Sequence, residues 1–206
     1  MKIFGNRMST CTRKVLTTLA EKQGKFEFVT VDLSAGGHKQ PDFLLRQPFG
    51  QIPVLEDGDF RLYESRAIAR YLDEVLPGQA LTPKEPKGRA IMEQWISIET
   101  SNFTPHAMTY IYQYVFGPKR GQQPDVAKVE DAKPKLDKCL AVMDTQLAKG
   151  PHLVGDSFTL ADVFFMPYFE YAMTTPAKDL IHAKPNVTAW WKRVSERASW
   201  KAATVK

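Results

Sequence analysis

Pro48-Phe49-Gly50-Gln51-Ile52-Pro53-Val54-Leu55-Glu56-Asp57-Gly58-Asp59-Phe60-Arg61-Leu62-Tyr63-Glu64-Ser65-Arg66-Ala67-Ile68 reads in order as a bend, a short strand, a tight turn, a second strand and a helix start. Asp57-Gly58 between two apolar runs is a strong hairpin signal. Pro53 stands directly before the first strand, where a missing N–H is tolerated. The Ile52–Pro53 bond is open to the cis form, which is usual only for X-Pro bonds and typical of tight turns. In that form the N–H and C=O of Ile52 turn outward and can pair with an extended peptide, as in strand addition to a sheet edge. Glu64-Ser65 opens a helix whose Ala67, Ile68, Tyr71, Leu72 and Val75 share a face. Free N–H groups and the positive helix end suit that junction to a carboxylate.

Working outward, Lys2 to Phe4 reads as a strand, and Ser9 begins a helix with Val15, Leu16 and Leu19 on one face and Gly24 as its stop. Phe26 to Val31 alternates and is β-rich, so it reads as a second strand. Ser34 to Gln40 is a polar loop, and Pro41 to Arg46 one irregular helix. With the hairpin this gives a βαβ-α-ββα order, the thioredoxin-like arrangement with a mixed sheet. The stretch 78–86, rich in Pro and Gly, reads as a linker. Beyond it the period is helical throughout. One long helix is expected over Lys87 to Phe116, kinked at Pro105. Another is expected over Val126 to Leu147, a third from Thr159-x-x-Asp162 and a last over Pro185 to Arg197. The expectation is an α/β domain at 1–77 and an all-α domain at 87–206.

The bulk composition excludes several classes. With 206 residues, 43% hydrophobic and 25% charged, the chain needs no staples to fold. Two cysteines, Cys11 and Cys139, form neither a disulfide framework nor a metal spacing. That usage fits a reducing cytoplasm, and no metal or other cofactor is expected. The apolar run Val163 to Tyr171 holds Pro167 and Glu170 and is too short to span a membrane. The net charge of +5 is spread along the chain without a dense basic run, so no nucleic acid is expected as a partner.

The run Gln-Pro-Phe-Gly-Gln-Ile-Pro, followed by Asp-Gly-Asp and Glu-Ser-Arg-Ala-Ile, resembles the glutathione-binding half of the cytosolic glutathione transferases, phi class. The likeness extends from Lys2 to near Lys201. It implies glutathione as co-substrate, a homodimer, and a role in detoxification and stress response. It also implies that Ser9 activates the glutathione sulfur. From position alone the ordinary role of Ser9 is helix N-cap. A free thiol has a pKa of about 8.5, and lowering it by two units takes about 2.7 kcal/mol. A hydroxyl bonded to a charged acceptor supplies roughly 1.5–3 kcal/mol, and the helix end roughly 0.3–1 kcal/mol. Ser9 and its helix therefore suffice without a general base. The family usually has Pro shortly before this Ser, where Asn6-Arg7 stands here.

The same resemblance places His38 and Lys39 on the glycine carboxylate of glutathione. It places Gln51, Ile52 and Pro53 along its middle, and Glu64 and Ser65 on its γ-glutamyl end. Without it, His38-Lys39 reads as an exposed polar loop, Gln51 as a turn residue, and Glu64-Ser65 as a helix start with a favourable acid. Thr10 is a neighbouring hydroxyl that can stand in for Ser9. Cys11, two residues beyond Ser9, is expected to point elsewhere on the helix and to pack as a small apolar residue. Met8, Met108, Ile111 and Tyr114 are candidates for an apolar electrophile pocket, and His106 faces either that cleft or a domain surface. Thr159-x-x-Asp162 is a capping box, which rejects Asp162 as a catalytic acid. The expected function is a glutathione transferase acting on hydrophobic electrophiles, and on hydroperoxides by the same thiolate. The alternatives are a Cys11-dependent thiol–disulfide oxidoreductase and a non-catalytic ligand-binding module.

Overall fold

A computed structural model describes residues 1–204, in two compact units. The first holds Met1–Leu81 and the chain from Arg197 onward; the second is Thr82–Glu196.

In the first unit the order is β1 (Lys2–Gly5), α1 (Thr10–Glu21), β2 (Glu27–Thr30), a 3₁₀ turn (Gly37–Lys39) and α2 (Pro41–Leu44). Then come β3 (Val54–Asp57), β4 (Phe60–Tyr63) and α3 (Ser65–Val75). The four-stranded sheet has the order β2-β1-β3-β4. β1 pairs parallel with β2, while β1–β3 and β3–β4 are antiparallel. Both faces are covered, because residues alternate across each strand. Ile3 and its partner Leu55 face α1 and α3, in a core with Val15, Leu16, Leu19, Ile68 and Leu72. Val54 and its partner Phe4 face the other way, onto Val31 and Phe43. Gly5 lets β1 approach α1: a Cβ there would lie 2.8 Å from the Thr12 side chain.

α1 ends one residue earlier than Gly24 suggests. Gln23 takes the left-handed conformation (φ 51°), and the Gln23 and Gly24 N–H groups close back on Ala20 and Leu19. This is a Schellman ending with Gln, not Gly, in the left-handed position. Beyond α1, Lys22 is paired with Asp73 at 3.1 Å, both side chains being almost wholly buried.

The expectation that 87–206 forms one domain is corrected at its end. α10 (Ala198–Thr204) packs on α1, and Ala203 joins the core of the first unit. Arg197 donates two hydrogen bonds to Glu21, at 2.7 and 2.9 Å, and the Ser199 hydroxyl donates a third.

The second unit holds α4 (Pro86–Ile98), α5 (Thr104–Ile111), α6 (Val126–Leu147), α7 (Leu160–Ala172), α8 (Ala177–His182) and α9 (Pro185–Ser195). α8 and α10 are helices that the sequence reading did not separate. The kink expected at Pro105 is instead a π-helical turn, Glu99–Phe103, whose Thr104 N–H reaches back to Glu99. Pro105 lacks an N–H and its ring would strike the carbonyl four residues back; the wider turn removes both conflicts. A second π-turn, Tyr112–Phe116, closes the run at Gly117.

Asp162 anchors this unit. It is fully buried and accepts from the Thr159 N–H (2.9 Å), the Leu153 N–H (3.2 Å) and the Trp190 indole N–H (2.8 Å). It therefore caps α7 and ties α9 to it, which is the structural role expected of the box. Among the described residues no helix is long and apolar enough to cross a membrane.

Asp162→Ala would leave these buried donors without acceptors, at about 1–3 kcal/mol each. A loss above about 3 kcal/mol in urea unfolding is expected. At Glu21, burial raises the carboxyl pKa, but the Arg197 and Ser199 bonds and the Arg197 charge together hold it below its ordinary 4.5. A carboxyl with a lowered folded pKa stabilises fully above the unfolded value, and this is lost as pH falls through the folded one. Arg197→Ala is expected to cost about 1 kcal/mol at neutral pH, as for a bidentate, partly exposed pair. The gap from wild type, read by thermal melts, closes as the medium is acidified below 4.5.

Candidate active site

The Ile52–Pro53 peptide is cis. A small open cleft lies against it, lined by Cys11, Gln47, Gln51, Ile52, Pro53, Glu64, Ser65 and Arg66. Three sequence features build it. α1 and α3 pack side by side and bring Cys11 against the start of α3. The bend before β3 brings in Gln51, Ile52 and Pro53. The β4–α3 junction brings in Glu64, Ser65 and Arg66.

That junction is strained. Glu64 has φ 73° and ψ 109°, a conformation that side chains rarely adopt. Such strain costs about 1–3 kcal/mol and collects at functional sites. Here it swings the chain from β4 into α3 and leaves Ser65 at the first helical position. Ser65 is 4% exposed, and its hydroxyl has no hydrogen-bond partner among the described residues. The first-turn N–H groups of α3 lie beside it, unclaimed within the helix. Glu64 and Arg66 line the same cleft.

Gln47 is 1% exposed, and its side-chain carbonyl accepts the Gln51 N–H at 3.0 Å. It therefore holds the bend from inside. Gly50 has φ 59°, and a Cβ there would lie 2.8 Å from both the His38 carbonyl and the Lys39 amine. With no side chain at 50, the Lys39 amine crosses the backbone and donates to the Phe49 carbonyl at 3.1 Å. His38 and Lys39 thus come to the Gly50–Gln51 side of the bend without lining the cleft. The buried His38 Nδ1 has no partner among the described residues.

Ser9 is the N-cap of α1: its oxygen accepts the Thr12 N–H at 3.2 Å. It is half-buried and stands outside the group that lines the cleft. Capping and donating do not compete. A hydroxyl whose oxygen accepts one bond still has its own hydrogen to give.

The position of Cys11 corrects the sequence reading. It is half-buried and lines the cleft instead of packing away from it. Ser9 as a cap lies outside the helical repeat, so helical spacing does not relate the two side chains. The cleft roles of Gln47 and Arg66 were missed as well. The signal for Gln47 was its place before Pro48-Phe49-Gly50, at the root of the bend.

Of the apolar candidates, Met8 is exposed, Met108 and Tyr114 are half-buried, and Ile111 is wholly buried and has no surface to offer a ligand. His106, on α5, is held below its ordinary pKa by burial and by the charge of Lys135, with Asp131 opposing.

Residues 1–74 match the family Glutathione S-transferase, N-terminal domain, and residues 103–198 its C-terminal domain. Glutathione S-transferase F11 of Arabidopsis thaliana is 42% identical over 204 residues, covering 98% of this chain and 95% of that one. The crystal structure of glutathione transferase F7 from Populus trichocarpa superposes with a TM-score of 0.93 at 41% identity, covering 98% of this chain and 96% of that one. Glutathione S-transferase I from maize, in complex with an atrazine glutathione conjugate, gives 0.90 at 33% identity, covering 98% and 95%. A thioredoxin-like sheet carrying this cleft, a helical unit after it, and likeness along nearly the whole of both chains lead to one conclusion: the protein belongs to the glutathione S-transferases, with the plant phi-type enzymes as its relatives.

Proposed function

We propose that this transferase conjugates glutathione to hydrophobic electrophiles, with the Ser9 hydroxyl holding the glutathione sulfur as thiolate. The observation that carries the reading is the Ser9 cap itself: its oxygen is fixed by the Thr12 N–H while its hydrogen remains to be donated. The Ser65 hydroxyl and the first turn of α3 then take the γ-glutamyl carboxylate, and Glu64 its ammonium. Ile52, at the bend before Pro53, pairs its backbone with the middle of the tripeptide, beside Gln51. His38 and Lys39 take the glycine carboxylate, and the unpartnered His38 Nδ1 supports that assignment.

The chemistry is then positioning and charge. The thiolate attacks the electrophilic carbon, a C–S bond forms, and the leaving group departs with the electron pair. With a hydroperoxide the same thiolate attacks the distal oxygen: an S–O bond forms as the O–O bond breaks, the glutathione sulfur is oxidised to a sulfenic acid, and the alkoxide leaves and takes up a proton to become the alcohol. Met8, 47% exposed, offers apolar surface for the second substrate. An apolar surface of that kind discriminates weakly, which favours a broad range of electrophiles. The maize relative, held with a glutathione conjugate of atrazine, supports conjugation. Phe49, 65% exposed beside Tyr63, supports a homodimer as the working form.

Ser9→Ala removes a bond of roughly 1.5–3 kcal/mol to the thiolate. Conjugation is expected to fall about ten- to a hundredfold in kcat/KM, with glutathione affinity by calorimetry little changed. The pH–rate profile should move to the alkaline side. Loss of activity in Cys11→Ala but not in Ser9→Ala would reverse the assignment. Glu64→Gly relieves the strained backbone and removes the ammonium partner together. It is expected to gain up to about 1 kcal/mol in unfolding free energy while KM for glutathione rises, so stability and binding move in opposite directions.

A further inference from the structure

Cys11 is the part of the cleft that the transferase reading leaves unused. Its thiol stands on the first turn of α1, in no disulfide, and lines the same cleft as Gln51, Ile52, Pro53, Glu64 and Ser65. A lone thiol says little, but this one has informative company. Ser65 and Gln47 are 4% and 1% exposed, and both line the cleft. Gln47 uses its carbonyl on Gln51; its amide nitrogen, like the Ser65 hydroxyl, has no partner among the described residues. Both side chains are held in place by the surrounding fold, and neither polar group is spent on the protein, so a polar ligand in the cleft can complete them. The thiol therefore sits in a ligand site.

The ligand assigned to that site carries sulfur. We infer that Cys11 is a modification site: glutathione disulfide seated in the cleft exchanges with the Cys11 thiol, leaving a glutathionyl group on the protein and the site closed to substrate. The Cys11 sulfur, having given up its proton, attacks one sulfur of the disulfide. The bond between the two glutathione sulfurs breaks as the Cys11–glutathione S–S bond forms. The second glutathione leaves as thiolate and takes up the proton. Cys11 is oxidised to a mixed disulfide, and one half of the glutathione disulfide is reduced. Attack inside a bound complex is effectively unimolecular, which favours Cys11 over exposed thiols elsewhere. Reduced glutathione reverses the exchange, so the fraction modified follows the ratio of the two forms. Cys139 does not compete, because burial pushes its thiol up to about 12.

The inference rests on the reading that the cleft takes glutathione, and the experiment separates the two. The full-length chain, wild type and Cys11→Ser, is incubated with glutathione disulfide. Intact mass, peptide mapping and conjugation rate are followed, with glutathione binding measured by calorimetry in parallel. Wild type is expected to gain one glutathionyl group, mapped to Cys11 and removed by dithiothreitol. S-methylglutathione, which fills the cleft but cannot exchange, should slow the gain. The modified protein should lose at least about tenfold in conjugation and recover it with dithiothreitol. Cys11→Ser, compared with its own untreated rate, should not respond to the disulfide. An adduct on Cys139, an adduct indifferent to S-methylglutathione, an adduct that leaves conjugation intact, or no adduct on a chain that binds glutathione overturns the inference. Calorimetry showing no glutathione binding overturns the reading of the cleft, and the inference with it. If Cys11→Ser does not fold, peptide mapping and dithiothreitol reversal on wild type still decide.

Discussion

Lys22 and Asp73 meet at 3.1 Å with side chains 2% and 3% exposed. The pair is closed by two further bonds, from the Leu81 N–H to Asp73 and from Lys22 to the Gln79 carbonyl. Two charges taken out of water cost more than their attraction returns unless such bonds complete them, so net stability is not their main effect. Their effect is register. Cys11 stands eleven residues before Lys22 and Glu64 nine before Asp73, which is about 16 Å and about 13 Å of helix. With one end pinned, the starts of α1 and α3 come level to within a few ångströms. The cleft is the gap between those two starts.

Helix beginnings suit this chemistry because their N–H groups are unspent. The two are finished differently. α1 is capped by Ser9, which satisfies a backbone donor and keeps its own hydrogen. α3 has no side-chain cap, since Glu64 is turned into a strained conformation instead. The first arrangement leaves a donor for a single atom such as sulfur. The second leaves a set of donors for a carboxylate. The proposed placing of glutathione uses both, with its thiol at the first helix start and its carboxylate at the second.

Much of this was legible in the residues themselves. Asp57-Gly58 placed the hairpin between β3 and β4, and Leu136, Leu140, Met143 and Leu147 marked out α6 at its observed bounds. What escaped depends on contacts distant in sequence. Helical spacing put Cys11 away from Ser9, but its surroundings are set by α3, more than fifty residues on. Gln47 looked like part of a turn until its carbonyl was seen on Gln51. Pro105 announced a disturbance without saying that a π-turn would absorb it. The run after Pro185 gave no sign that Arg197 leaves the helical unit, because its partner Glu21 lies near the opposite end of the chain.

That last contact bears on how the molecule comes to be made. The ribosome delivers β1, α1 and the hairpin early, yet α10 packs on α1 and adds Ala203 to its core. Until Ala198–Thr204 emerge, Leu16, Leu19 and their neighbours lack part of their apolar cover, while the whole of Thr82–Glu196 is already available to fold. Synthesis of the sheet unit thus begins first and is completed last. A nascent chain stalled short of Arg197 would carry a finished helical body beside an unsealed sheet.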